Sequence, residues 1–87
     1  MAIQIGIVDD KQINRTTVKE RLIAYKEVEL VLEAKNGKEF LESLRQLPPE
    51  KHPQVVLMDL EMPVMDGIQA ISLATAAWPD IKFIVLT

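Results

Sequence analysis

The 87-residue length suits one small domain, and a domain of this size buries about 60% or more of its unfolded surface. An apolar fraction of 48%, a charged fraction of 26% and only three glycines indicate a packed core and argue against disordered, collagen-like and low-complexity chains. The net charge is −3 and no basic stripe is present, so we expect no direct nucleic-acid binding by this segment.

The chain contains no cysteine, which excludes disulfides, thiolate metal sites and cysteine nucleophiles. Its first ten residues, MAIQIGIVDD, contain neither a basic leader nor an apolar run long enough for a signal peptide or a membrane anchor. We therefore expect a cytoplasmic protein that does not contact a membrane.

The first half of the chain predicts two strands and two helices. Ile3–Val8 is short, β-branched and mostly apolar, which is typical of a strand covered on both faces. A helix capped by Asp10 follows to about residue 26, and Val28–Ala34 alternates as a strand nearer a sheet edge does. Residues 38–47 have helical apolar spacing. The stripe predicted to face inward from the first helix is Ile13, Val18, Leu22 and Tyr25.

The second half predicts two more strands around a third helix. Residues 54–59 are an apolar strand, preceded by a polar loop, PPEKHP. Asp66 caps a helix that continues to Ala77, and residues 81–87 form a fourth apolar strand. The residues predicted to face inward from this third helix are Ile68, Ile71 and Ala74 or Thr75.

Strands that alternate with helices imply right-handed crossovers and a doubly wound α/β fold with a parallel sheet. The flavodoxin-like version of this fold has the strand order 2-1-3-4 for the strands present here. Ligands bind such sheets at the carboxyl ends of the strands, beside the switch point between strands one and three. Asp9 and Asp10 follow strand one, and Asp59 ends strand three.

Carboxylates that converge from two strand ends repel one another. For charges roughly 5 Å apart and an effective dielectric constant near 20, the repulsion energy is about 3 kcal/mol per pair. Mg²⁺ is the cation that suits them best, because it prefers oxygen ligands and retains waters that a phosphoryl oxygen could replace. A carboxylate beside such a cation can attack a phosphoryl group. Asp59 is the candidate nucleophile, whereas Asp9 and Asp10 are better placed to hold the metal.

Three motifs carry a resemblance to a known family. VDD after strand one, DLEMPVMDG after strand three and FIVLT on strand four resemble the receiver domain of two-component response regulators. The resemblance covers residues 1–87 as one receiver domain that is incomplete at its C-terminus. It implies a signalling phosphoprotein rather than an enzyme.

The resemblance assigns roles to five residues. It implies that Asp59 accepts a phosphoryl group from a sensor histidine kinase or a small phosphodonor. Asp10 would bind Mg²⁺ directly, and Asp9 directly or through water. Glu61 would contribute its backbone carbonyl to the metal, and the Thr87 hydroxyl would contact the phosphoryl group as the switch residue.

The family pattern continues beyond this sequence, through another helix, a fifth strand that ends in a lysine, and a last helix. Lys82 does not substitute for that lysine, because it lies five residues before Thr87, about 16 Å away along a strand. By analogy, we expect the parent protein to carry a helix-turn-helix DNA-binding output domain that controls transcription.

Three alternatives stay open. A haloacid dehalogenase-type phosphatase also uses a strand-end aspartate, but Asp59-Leu60-Glu61 departs from its D-x-D pattern. A flavodoxin is disfavoured because DDKQINRT is acidic where a phosphate-binding loop offers hydroxyls and backbone donors. The last alternative is a signalling-incompetent fragment that self-associates through its fourth strand, as a homodimer or a swapped oligomer.

Several residues near these motifs receive structural interpretations. Asp66 with Gly67 is interpreted as a turn and helix cap, and Glu61 as a solvent-facing side chain. His52 lies in a polar loop without a companion ligand, which predicts an exposed side chain. Lys11 is close in sequence to the acidic pair, but its direction is left open.

Overall fold

Strands and helices alternate along residues 2–86, the part of the chain that the computed structural model describes. The elements, in chain order, are β1 (Ile3–Val8), α1 (Gln12–Leu22), β2 (Val28–Ala34), α2 (Gly37–Gln46), a short 3-10 helix (Pro49–Lys51), β3 (Val55–Asp59), α3 (Gly67–Ala77) and β4 (Lys82–Leu86). The strands form one parallel sheet in the order β2-β1-β3-β4. The predicted doubly wound, flavodoxin-like α/β fold is therefore confirmed.

The strand register brings the carboxyl ends of β1 and β3 level with each other. Val8 pairs with Met58, so Asp9 follows β1 beside Asp59, which is the last residue of β3. Asp59 in turn lies opposite Leu86 of β4. The switch point of the sheet therefore lies between the two strand ends that carry the acidic residues.

The buried core lies between the sheet and helices α2 and α3. Phe40 of α2 packs edge-to-face against Phe83 of β4, with ring centroids 6.1 Å apart. The two helices approach closely, since a Cβ added to Gly37 would stand 2.9 Å from the Cβ of Ala70. This core holds β3, and with it Asp59, in a fixed position relative to β1.

The inward face of α3 differs from the prediction at one residue. Ala74 is buried and Ile71 is partly buried, but Ile68 is 67% exposed. The buried residues of α3 are Gly67, Ala70 and Ala74. Small residues face inward because α2 and α3 pack too closely for a larger side chain at the contact.

The prediction for α1 is wrong at both ends. The helix ends at Leu22 rather than near residue 26, because the chain turns back there to enter β2, and Tyr25 is exposed beyond the helix. Asp10 is not its cap: Lys11 occupies the N-cap position without a side-chain cap bond. Ile13 is 74% exposed, and none of the residues of α1 is buried.

His52 is half-buried, so the predicted exposed side chain is wrong. Its Nε2 lies 2.8 Å from the carbonyl oxygen of Leu44 and 3.1 Å from that of Leu47, and its ring packs edge-to-face against Trp78. Both neighbours are acceptors, so Nε2 donates. In a continuing helix, the residue at position 48 would donate its N–H to the carbonyl of Leu44. Pro48 has no N–H, so Nε2 of His52 donates to that carbonyl instead.

The cap predicted for the third helix is confirmed. Asp66 accepts a hydrogen bond of 2.8 Å from the N–H of Gln69. Asn36 caps α2 in the same way, by accepting from the N–H of Glu39. Among the helices of residues 2–86, none has the length and apolar character needed to cross a membrane.

Candidate metal and phosphoryl-acceptor site

Three carboxylates converge at the carboxyl edge of the sheet. Asp9, Asp10 and Asp59 each offer one oxygen, and these oxygens lie within 4.8 Å of one another. Asp9 and Asp10 follow β1, and Asp59 ends the neighbouring β3. The structure therefore brings together the acidic residues that the sequence singles out.

Asp9 is held in place by hydrogen bonds and is only 4% exposed. Its Oδ1 accepts from the N–H of Lys11 at 2.9 Å, and its Oδ2 accepts from Nδ2 of Asn14 at 3.2 Å. Its backbone carbonyl accepts from Nη1 of Arg15 at 2.6 Å. The direction of this carboxylate is thus set before any ligand arrives.

Asp10 contributes an oxygen whose surroundings favour a cation. Its Oδ1 is buried and has no hydrogen-bond partner among the described residues. A buried carboxylate oxygen without a donor is costly, and a metal ion beside it would offset that cost. The cluster consists of carboxylate oxygens alone, which are the ligands that Mg²⁺ prefers. The residues present therefore fit Mg²⁺.

Asp59, the last residue of β3, is half-buried in the cluster. Burial raises the pKa of Asp59 above its ordinary value, and repulsion by Asp9 and Asp10 raises it further. The N–H of Glu61, which donates to Oδ1 at 3.2 Å, and the charge of Lys11 lower this pKa by less. A carboxylate in such surroundings is stabilised by an added positive charge.

A cavity of about 380 Å³ opens beside the cluster. Its lining residues come from the first two turns of α1 with the residue before it, and from the carboxyl ends of β1, β3 and β4 with the residues just after them: Asp9, Lys11, Asn14, Thr17, Val18, Asp59, Glu61 and Leu86. The cavity is open to solvent and large enough for a phosphoryl group. Lys11 therefore lines the candidate site, whereas the sequence alone does not indicate whether its side chain points there.

Asn14 and Arg15 are site residues that the sequence interpretation missed. Asn14 lies three residues after Lys11, and Val18 lies seven after it, so all three share one face of α1. That spacing is the signal that could have found Asn14. Arg15 reaches the site only through the backbone of Asp9, a contact that no sequence pattern indicates.

Glu61 and Thr87 are the two remaining residues that the sequence predicts at the site. Glu61 has an exposed side chain and lines the cavity, and its N–H contacts Asp59. The role of its carbonyl as a metal ligand stays a prediction. Thr87 lies outside the described residues. Lys82 pairs with Val55 at the opposite end of β4, so it is remote from the site, as predicted.

The loop between β3 and α3 contains a strained residue. Val64 has φ of 66°, a left-handed conformation that is rare for a β-branched side chain. The N–H of Met65 donates to the carbonyl of Pro63 at 2.7 Å, which closes a three-residue turn around Val64. The carbonyl of Met65 then accepts from the N–H of Gly37, so the loop is tied to the start of α2.

The chain is thus a doubly wound α/β domain with an acidic cluster at its switch point. The family described as the response regulator receiver domain matches residues 5–87. The chain therefore belongs to the response regulator receiver domain family, as the sequence motifs predict.

Relatives with different outputs share this similarity. The chain is 44% identical over 85 residues to the uncharacterized transcriptional regulatory protein YhcZ of Bacillus subtilis, with 98% of this chain and 38% of that protein covered. It is 40% identical over 89 residues to protein-glutamate methylesterase/protein-glutamine glutaminase 1 of Vibrio vulnificus, with 100% of this chain and 23% of the relative covered. The chain thus spans well under half of these relatives.

A solved structure supports the same assignment. The isolated receiver domain of RcsB from Salmonella enterica serovar Typhimurium, in the presence of the phosphomimetic BeF3-, superposes with a TM-score of 0.85 at 27% identity. The match covers 100% of this chain and 62% of that one.

Proposed function

We propose that this receiver accepts a phosphoryl group on Asp59 from a sensor histidine kinase and thereby switches an output activity, most simply transcription. The observation that carries the proposal is the convergence of Asp9, Asp10 and Asp59 within 4.8 Å, together with the unpartnered Oδ1 of Asp10. Asp9, Asp10, Asp59 and the carbonyl of Glu61 would hold Mg²⁺. Thr87 would contact the phosphoryl group and report its presence.

The proposed transfer is a displacement at phosphorus. One carboxylate oxygen of Asp59 forms the new P–O bond, and the P–N bond to the kinase histidine breaks, so the imidazole leaves with the electron pair and takes up a proton. Oδ1 of Asp59 is anchored by the N–H of Glu61, which leaves Oδ2 as the attacking oxygen. Mg²⁺ would supply the positive charge that offsets the charge on the transferred group.

Lys11 is the lysine among the described residues that lines the cavity, and its charge already acts on Asp59. We assign it a secondary electrostatic role toward the incoming phosphoryl group. The flexible side chain of a lysine suits such a role, because its ammonium is a mobile point charge.

The test is intact mass spectrometry of the 87-residue chain after incubation with acetyl phosphate and Mg²⁺. We expect one phosphoryl adduct, which is lost in Asp59→Asn and when EDTA is added. Asp66→Asn is the matched control, because it removes a carboxylate from the same loop while asparagine still caps α3. An unmutated chain without an adduct, or an adduct that persists in Asp59→Asn, would contradict the proposal.

The output activity is proposed by similarity. A Bacillus subtilis relative is a transcriptional regulatory protein, which favours a DNA-binding output domain of the helix-turn-helix kind in the parent protein. The Vibrio vulnificus relative carries an enzyme name, so a methylesterase output is the competing possibility. We place the parent protein in the cytoplasm, where both outputs would act. Sequencing the gene beyond codon 87 decides between the two.

A second candidate function for this chain is association between copies through β4. Ile84 is 52% exposed and Val85 is 43% exposed, and β4 is an edge strand of the sheet that residues 2–86 form. An apolar edge strand pairs readily with another chain. Sedimentation velocity tests this candidate: we expect a dimer that Val85→Lys dissociates, whereas a monomeric unmutated chain would refute it.

A further inference from the structure

The structure links Arg15 to the acidic cluster by a route that the proposed transfer does not use. Its guanidinium makes two charge-assisted hydrogen bonds, one from Nη1 to the backbone carbonyl of Asp9 at 2.6 Å and one from Nε to Oε2 of Glu33 at 2.8 Å. The side chain of Arg15 is only 14% exposed. Glu33 also accepts from Nζ of Lys19 at 3.0 Å, which fixes its carboxylate from a second side.

The bonds around Asp9 hold its backbone on both sides. Its N–H donates to the carbonyl of Ala34 in β2 at 3.1 Å, and its carbonyl accepts from Arg15. The carbonyl of Asp9 and the N–H of Asp10 belong to one rigid peptide plane. The guanidinium therefore sets the plane from which the side chain of Asp10 departs.

We infer that Arg15, oriented by Glu33, is a positioning residue for the metal centre: it holds the Asp9–Asp10 peptide so that a carboxylate oxygen of Asp10 lies within 4.8 Å of those of Asp9 and Asp59. The inference rests on the proposed function, because it assumes that Mg²⁺ binds the cluster. Arginine suits this role, since its planar fork donates to two acceptors at once, whereas the single nitrogen of lysine cannot reproduce that geometry.

The competing explanation is that the pair of Arg15 and Glu33 only ties α1 to β2. Stability alone does not separate the two, because both predict some loss of stability on substitution. Mg²⁺ affinity does separate them, since a simple tie between elements leaves it unchanged, whereas the carbonyl resonance of Asp9 reports only whether its hydrogen bond with Arg15 is present.

The experiment is a Mg²⁺ titration of the 87-residue chain followed by NMR, with the amide of Asp10 and the carbonyl ¹³C of Asp9 as reporters. We expect Arg15→Gln to weaken Mg²⁺ binding by roughly ten-fold, the lower end of what loss of a ligand-orienting partner costs. In the absence of metal, the same variant shifts the carbonyl resonance of Asp9. Arg15→Lys loses one of the two bonds, and we expect an intermediate affinity.

Lys19→Gln is the matched control, because it removes the other cation on Glu33 and leaves the carbonyl of Asp9 untouched. We expect it to retain the Mg²⁺ affinity and the carbonyl shift of the unmutated chain. If Arg15→Gln does not fold, Arg15→Lys carries the test alone. Unchanged Mg²⁺ affinity in the folded Arg15 variants would overturn this inference alone, whereas absence of Mg²⁺ binding by the unmutated chain would overturn the proposed metal site as well.

Discussion

A Cβ added to Gly67 would stand against the backbone carbonyl oxygen of Asp59, closer than van der Waals contact allows. It would also lie 2.9 Å from Cα of Leu60, whose carbonyl accepts a hydrogen bond from the N–H of Gly67. These neighbours are backbone atoms, so they cannot move aside by changing rotamer. The start of α3 therefore packs directly on the strand end that carries Asp59, the proposed phosphoryl acceptor.

Gly67→Ala is expected to lower both stability and phosphorylation. Overpacking of this kind costs about 1–3 kcal/mol, and here the displaced atoms belong to Asp59 itself. Urea unfolding gives the loss of stability, and intact mass against time gives the loss of phosphorylation rate. Gly6→Ala is the control, because its nearest neighbour, Cγ2 of Val56, is 3.3 Å away and is a side-chain atom. Equal effects of the two substitutions would contradict the argument.

His52→Ala is expected to lower the free energy of unfolding by about 1–2 kcal/mol, the cost of leaving partly buried carbonyls without a donor. The affected carbonyls belong to Leu44 and Leu47, and the contact with the ring of Trp78 is lost as well. Urea unfolding followed by Trp78 fluorescence measures the change. His52→Gln retains a donor and is expected to lose less. An alanine variant as stable as the unmutated chain would show that the carbonyls find another partner.

The ends of the strands that carry the acidic residues were predictable from short-range patterns, whereas the sheet order was predicted as that of the flavodoxin-like fold, one of two common doubly wound orders. An apolar strand that stops at an aspartate places that aspartate at the carboxyl edge, and the chain does this at Asp9 and again at Asp59. The flavodoxin-like order then makes β1 and β3 neighbours, which brings these two aspartates together. The position of the cluster needed no knowledge of helix packing.

The contacts that depend on packing were not predictable in the same way. Ile68 fits the helical spacing of an inward-facing residue, yet its side chain is exposed. The close contact of Gly37 with Ala70 determines which face of α3 packs against α2, and Ile68 is not on that face. The contact of Arg15 with Asp9 depends on how the first turn of α1 lies against β1. The side chain of His52 was wrongly predicted to be exposed. Pro48 has no N–H for the carbonyl of Leu44, so that carbonyl needs another donor, and the sequence interpretation did not consider this need.

The ion pairs of Glu33 predict a pH-dependent contribution to stability. Its hydrogen bond with Lys19 lowers the pKa of Glu33 below its ordinary value of 4.5, and Arg15 lowers it further, against an opposing effect of burial. A lowered folded-state pKa contributes stability that is present above the unfolded value and is lost as pH falls through the folded one. The stability difference between the unmutated chain and Glu33→Gln is therefore largest near neutral pH and shrinks below about pH 4.5.

Thermal unfolding of the unmutated chain and of Glu33→Gln at pH 7 and pH 3 measures this stability difference. Glu42→Gln is the control, since Glu42 takes part in neither of the ion pairs among the described residues. A Glu33→Gln deficit that is the same at both pH values would contradict the prediction.

Asp59→Asn is expected to be more stable than the unmutated chain at pH 7 without Mg²⁺. Burial and the charges of Asp9 and Asp10 raise the pKa of Asp59, so its contribution to stability is greatest below the unfolded value and is lost as pH rises through the folded one. Asparagine does not ionise, so the variant loses no stability in this way as pH rises. The advantage of the variant therefore appears above about pH 4 and is absent at pH 3.

Mg²⁺ reverses this order if the cluster binds it, because a ligand that binds only the folded state stabilises that state by mass action. Thermal unfolding with and without saturating Mg²⁺ provides the measurement, and we expect the melting temperature of the unmutated chain to rise more than that of Asp59→Asn. Asp66→Asn retains all members of the cluster and is expected to respond to Mg²⁺ as the unmutated chain does. Equal responses in all three proteins would mean that Asp59 does not share in metal binding.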